Sequence, residues 1–216
     1  MVHRPFVPWP AKVLRTPAAP VEAVTDETRA IWDEMLEAMY AMPGVGLAAP
    51  QLGISLRLAV VDAGDQTAPI RMANPEVLHA SIKTNDHQEA SPNLPGAFAW
   101  ITRPRAVTVA FLDETGARKE QDFVGLWATS VQHQIDHLNG KMYFDHLSKL
   151  KRDMLIKKAR KLGSCLWARR SFRFRCLRLW RRSMKSYVPI PSRRALRAVA
   201  KSCSIASTGA GRSIGH

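Results

Sequence analysis

The first 163 residues of this 216-residue chain hold no cysteine, and the last 53 hold no acidic residue. The first absence excludes a disulfide framework for the main body and points to a reducing, cytoplasmic location. Long apolar runs are missing too. None reaches the roughly 18 residues that cross a bilayer, so no membrane span is expected. Met1 to Pro20 carries five prolines and no apolar stretch of the secretory kind, so no signal peptide is expected.

What the chain does hold is unevenly placed. The formal charge is +14, which at first sight suggests a nucleic acid or another anionic surface. Residues 1–163, however, carry 19 basic and 18 acidic residues, a net of +1. The other 13 basic residues lie in 164–216, together with Cys165, Cys176 and Cys203. The charge therefore describes a tail and not the main body. An apolar fraction of 46% is ordinary for a globular protein. This gives one domain over 1–163 and a basic, arginine-rich tail over 164–216.

Val21 to Met42 reads as one helix, with Ile31, Met35 and Met39 on one side and Thr25 or Asp26 as its cap. A Gly/Ala/Pro loop follows, Gly44 to Gln51. Leu56 to Val61 and the stretch around Met72 to Leu78 read as strands, and Glu89 to Gly96 as an irregular loop. Ala106 to Leu112 is a strand whose hairpin partner is Lys119 to Phe123 across Asp113-Glu114-Thr115-Gly116. Gly125 to Leu138 is a helix that stops at Asn139-Gly140, and Ser148 to Leu162 is another. Strands first and helices at the ends argue an α+β fold.

The most informative segment is Gln132-His133-Gln134-Ile135-Asp136-His137-Leu138. Two histidines four apart share a helix face and can grip one metal ion. In the motif H-E-x-x-H a glutamate follows the first histidine and takes a proton from metal-bound water. Here that residue is Gln134, an amide that hydrogen-bonds but is not a base.

Two further segments join it: Gly44-Val45-Gly46-Leu47-Ala48-Ala49-Pro50-Gln51 and Glu89-Ala90-Ser91-Pro92-Asn93-Leu94-Pro95-Gly96. In order and spacing the three motifs resemble those of peptide deformylase, which removes the formyl group from the N-terminal methionine of new proteins. The resemblance covers about residues 5–162. It implies antiparallel β-sheets around a central helix that carries His133 and His137. It also implies a ferrous or zinc ion held by those two histidines and by a cysteine, at whose position this chain has Ser91. A serine hydroxyl holds its proton far more tightly than a thiol, so metal affinity should fall by orders of magnitude. The family's general base falls at Gln134. Its oxyanion hole falls at the Gln51 side chain and at the backbone N–H of the residue after the cysteine, here Pro92, which has no N–H.

Several of these residues have a plainer reading. His133 and His137 would then be hydrogen-bonded in a remnant pocket, and Gln51 would cap a loop. Glu89 would satisfy backbone amides, and Asp136 would either orient a histidine or solvate the helix. Gly44 and Gly46 are structural on any reading, and Gly46 and Leu94 are candidate substrate contacts. Leu94, Trp100, Leu126 and Ile135 either line a methionine pocket or belong to the core.

The resemblance implies a deformylase-like protein with little or no turnover, one that still meets formyl-methionine peptides or nascent chains. One rival is an active metal-dependent deformylase with altered ligands, in which Asp86, His87 or Glu89 supplies the base. A second rival is a ribosomal-RNA-binding module that works through the tail, where seven arginines between Ser164 and Arg182 interleave with Trp167, Phe172, Phe174 and Trp180. The same composition fits a disordered tail, or translation in a shifted frame past the end of a gene.

Overall fold

A computed structural model describes residues 4–42, 44–64 and 68–167, with side chains described as far as residue 161. Residues 168–216 of the basic tail therefore lie outside the described residues, as do the expectations attached to them.

Helix α1, Asp26–Ala41, starts at the cap the sequence offered and not at Val21, the first residue of the stretch read as helix. Thr25 caps it, and Thr25 and Thr28 form a reciprocal capping box. Its inner stripe is Trp32, Met35, Leu36 and Met39. Five antiparallel strands follow as one sheet, in the order β1 (Gly46–Ala48), β2 (Leu58–Val61), β3 (Ile70–Ala80), β6 (Ala106–Leu112) and β7 (Arg118–Val124). A separate hairpin pairs β4 (Thr84–Ala90) with β5 (Phe98–Pro104). Helix α2, Leu126–Leu138, is buried on most sides, and α3, Lys149–Trp167, closes the described part. The architecture is α+β, with the His133–His137 helix at its centre.

Strand β2 shows why the sheet sits where it does. Every one of its four residues is buried. Ala59 and Val61 join a core with Val109, Phe111, Val131, Ile135 and Leu138 on the α2 side. Leu58 and Val60 join Trp32, Met35, Leu36 and Met39 on the α1 side. A strand covered on both faces needs a continuous apolar run, which is what Leu58-Ala59-Val60-Val61 supplies. A third core, under β5 and α3, gathers Leu14, Leu94, Ile101, Met142, Tyr143, Phe144 and Ala159.

Helix α2 ends on Asn139, and Gly140 follows at φ +70°. A Cβ there would stand 2.8 Å from the Arg15 backbone. Glycine is thus required twice over, by its dihedral and by the passing chain.

Three differences from the sequence reading concern the site. The loop Gly44 to Gln51 contains strand β1 and a 3-10 turn, Ala49–Leu52. Glu89 and Ala90 are the last residues of a strand, not part of an irregular loop. The sequence reading placed no strand at 98–104, where β5 runs.

Candidate active site

Three separate stretches of chain meet here. The turn after β1 presents Gln51, the end of β4 presents Glu89 and then Ser91, and α2 presents His133, Gln134 and His137. All six side chains are buried.

The histidine pair comes from α2 spacing. His133 Nε2 and His137 Nε2 lie 3.2 Å apart. His133 Nδ1 meets the Glu89 carboxylate at 2.7 Å. A carboxylate only accepts, so Nδ1 carries the hydrogen. Glu89 in turn takes two bonds from Arg103, at 2.5 and 3.0 Å. Burial pushes the Glu89 carboxyl up, but the bonds from His133 and Arg103 outweigh it and bring it down to about 2. Arg103 also pairs with Asp136 at 2.8 Å, and Asp136 with His146 at 2.7 Å. Burial and the neighbouring His133 hold His137 well below the ordinary histidine value, so it is neutral.

Glu89 therefore serves a histidine and an arginine, not backbone amides as one sequence reading had it. Asp136 bonds Arg103 and His146 and does not merely solvate the helix. Tyr143 lies nearly parallel to His133, with ring centroids 6.1 Å apart.

The second half of the site is a closed polar network. Gln51 Oε1 accepts from the Ala48 N–H at 2.8 Å. Gln51 Nε2 donates to Asn93 Oδ1 at 2.9 Å and to Ser91 Oγ at 3.3 Å. Ser91 Oγ donates to Asn93 Oδ1 at 2.9 Å and accepts the Asn93 N–H at 3.4 Å. Asn93 Nδ2 then donates to the carbonyls of Val7 and Gln51, at 2.6 and 3.1 Å. A primary amide has two hydrogens, and a hydroxyl has one hydrogen and two lone pairs. Both hydrogens of Gln51 are engaged, and all three positions on Ser91 are filled.

Gln134 sits against β1. A Cβ added to Gly46 would lie 2.7 Å from Gln134 Nε2 and 2.5 Å from Ser130 Oγ. Gly46 thus makes room for α2 at this point. Gln134 Oε1 is buried and has no hydrogen-bond partner among the described residues. Of the other candidates, Leu94 and Ile135 are buried in cores, whereas Trp100 is 60% exposed and is not a core residue.

Whether these residues suit a divalent ion can be asked atom by atom. His133 has the carboxylate backing that metal-bound histidines use. His137 would have to turn its Nε2 lone pair to the ion and carry its hydrogen on Nδ1. That Nδ1 is buried with no partner among the described residues. Ser91 Oγ has no free lone pair. Among the described residues no group of three or more His, Cys, Asp or Glu is placed to hold a metal. The set as a whole does not fit a tightly held ion.

Sequence reasoning named His133, His137, Gln134, Gln51, Ser91 and Glu89, all of which are buried in this region. It missed Arg103 and Asn93. Arg103 was hidden because β5 was not recognised. Asn93 lies inside the second motif, but nothing in spacing marks it as the residue that fills both neighbours.

Residues 3–153 match the polypeptide deformylase family. A peptide deformylase of Methylocella silvestris is 44% identical over 167 residues, covering 74% of this chain and 85% of that protein. One from Phenylobacterium zucineum is 44% identical over 158 residues, covering 72% and 92%. Among solved structures, a peptide deformylase from Legionella pneumophila superposes with a TM-score of 0.73 at 39% identity, covering 78% of this chain and 99% of that one. The Ehrlichia chaffeensis peptide deformylase gives 0.72 at 32% identity, covering 76% and 98%. On sequence and on fold, the chain belongs to the peptide deformylase family.

Proposed function

We propose that this protein recognises formyl-methionine chain ends with the family's fold but hydrolyses them slowly or not at all. The observation that carries this reading is the saturated network around Ser91. In the resemblance, Gln51 and the amide after Ser91 are the oxyanion donors. Gln51 spends both hydrogens on Ser91 and Asn93, and Pro92 has no hydrogen to give. Removing one oxyanion donor costs about 10²–10³ in rate. An amide at Gln134 in place of a base costs roughly 10²–10⁴. These losses do not add, because parts of one machine fail together.

The reading is tested by formate release from a formyl-Met tripeptide, using the full chain beside its Ser91→Cys/Pro92→Ala/Gln134→Glu variant, both supplied with ferrous ion without oxygen. The expected result is a silent parent and a variant that gains turnover. A parent as fast as its relatives would end the proposal.

A second reading, a working hydrolase with altered ligands, is favoured by the retained His133–Glu89 pair and the convergence of the two Nε2 atoms. It needs another base. Glu89 is committed to Arg103 and His133, and Asp86 to Thr102 at 2.6 Å. Turnover that survived Gln134→Ala and vanished with His133→Ala would establish it.

A further inference from the structure

One side chain, Asn93, adds to the disagreement between this site and a metal. It is 1% exposed and makes every hydrogen bond an amide can make. Its Oδ1 collects the hydrogens of Gln51 and Ser91, and its backbone N–H points back at Ser91 Oγ. Its Nδ2 ties the same point to the N-terminal segment at Val7 and to the turn carrying Gln51. Two backbone bonds run alongside, Val7 N–H to Gln51 at 2.9 Å and Trp9 N–H to Asn93 at 2.8 Å. The N-terminal segment, the Ala49–Leu52 turn and the stretch after β4 are thus laced together without an ion.

We propose that Asn93 is a locking residue: its side chain occupies Ser91 and Gln51 and braces the site in a form that needs no metal. The proposal rests on the reading of a site with little or no turnover, and it adds the device that keeps the site closed. A ligand at position 91 needs a lone pair free to face the ion. A buried carboxamide that completes the hydrogen-bonding of that position opposes this as long as it stays. Partners that set the orientation of a metal-binding atom change affinity by about 10–100-fold when altered. Asn93 should act on that scale, with the opposite sign to a supporting partner.

The test uses the full chain in four forms: parent, Asn93→Ala, Ser91→Cys and Ser91→Cys/Asn93→Ala. Zinc binding is followed by titration calorimetry, and thermal unfolding is followed with and without a chelator. The parent should melt at the same temperature in both conditions. Asn93→Ala should melt lower, since the carbonyls of Val7 and Gln51 lose their donor. The discriminating comparison is between the two cysteine chains, where adding Asn93→Ala should raise zinc affinity about tenfold or more. A merely structural Asn93 would lower the melting temperature and leave zinc affinity equal or weaker, which would overturn the proposal. So would a parent that loses stability to the chelator. Should the alanine chains fail to fold, Ser91→Cys/Asn93→Ser gives the same comparison. A parent that releases formate at family rates would remove the underlying reading. A silent parent whose cysteine chains bind zinc equally would remove only the lock.

Discussion

Gly46 and Gln134 are coupled at the residue scale. A methyl group at 46 would press on Gln134 and Ser130 at distances no Cβ tolerates. Gly46→Ala should therefore cost about 1–3 kcal/mol, the usual range for an overfilled core. Adding Gln134→Ala should return part of that, because the two changes share one contact. Urea unfolding of the single and double variants measures the coupling, and strictly additive costs would contradict it. Arg103 makes a second case. It is buried between Glu89 and Asp136. Arg103→Met would leave the buried Glu89 and the half-buried Asp136 without their shared guanidinium, a loss of about 3–5 kcal/mol. A shift in the urea midpoint equivalent to less than 1 kcal/mol, roughly the value of an exposed pair, would mean the network is relaxed by water. Ser91, Pro92 and Gln134 were legible as candidate site positions because each falls inside a recognisable motif. The partners Asn93 and Arg103 were not. A side chain that completes a network is defined by distance in space, and an asparagine or arginine in sequence looks like any other polar residue.

At the scale of elements, the legible parts are those whose pattern has one cause. Helix α1 shows a cap and an inner stripe, and β6 is an apolar strand that ends in a turn. Strands β4 and β5 were obscured for a physical reason. Asn85 and Asp86 lead to a buried Glu89 whose charge is met by Arg103 and His133. Phe98 and Trp100 face outward on β5, 42% and 60% exposed. Polar residues inside and aromatic ones outside invert the ordinary strand signal. The β6–β7 turn carries a testable element. Asp113 Oδ1 accepts from Thr115 Oγ1 at 2.6 Å, the Thr115 N–H at 2.8 Å and the Ala117 N–H at 3.1 Å, and Lys119 lies 2.9 Å from Oδ2. The bonds from Thr115 and Lys119 hold its carboxyl well below the ordinary 3.8. A group lowered on folding stabilises the fold above its unfolded value and loses that effect as pH falls through its folded value. Asp113→Ala should thus cost stability at neutral pH, and the gap from the parent should narrow in strong acid. Urea midpoints at the two pH values check this, and a gap that widens in acid would contradict it.

The molecule as a whole has the family fold, and the proposed loss of chemistry is confined to its centre. Its cores lie on both faces of one sheet and beneath α3, and Ser91, Pro92 and Gln134 are not part of their apolar packing. Among the described residues no helix is long and apolar enough to cross a membrane. Fold and chemistry can therefore part company here, since what holds the chain together is not what would cut a formamide. The most direct measurement is formate release from a formyl-Met tripeptide by the full chain, beside the Methylocella silvestris enzyme at equal ferrous ion and substrate. The account predicts a rate at least about 10²-fold lower for this chain, the smallest loss expected from a missing base or oxyanion donor. Equal rates would contradict it and would show that another group does the work assigned to position 134.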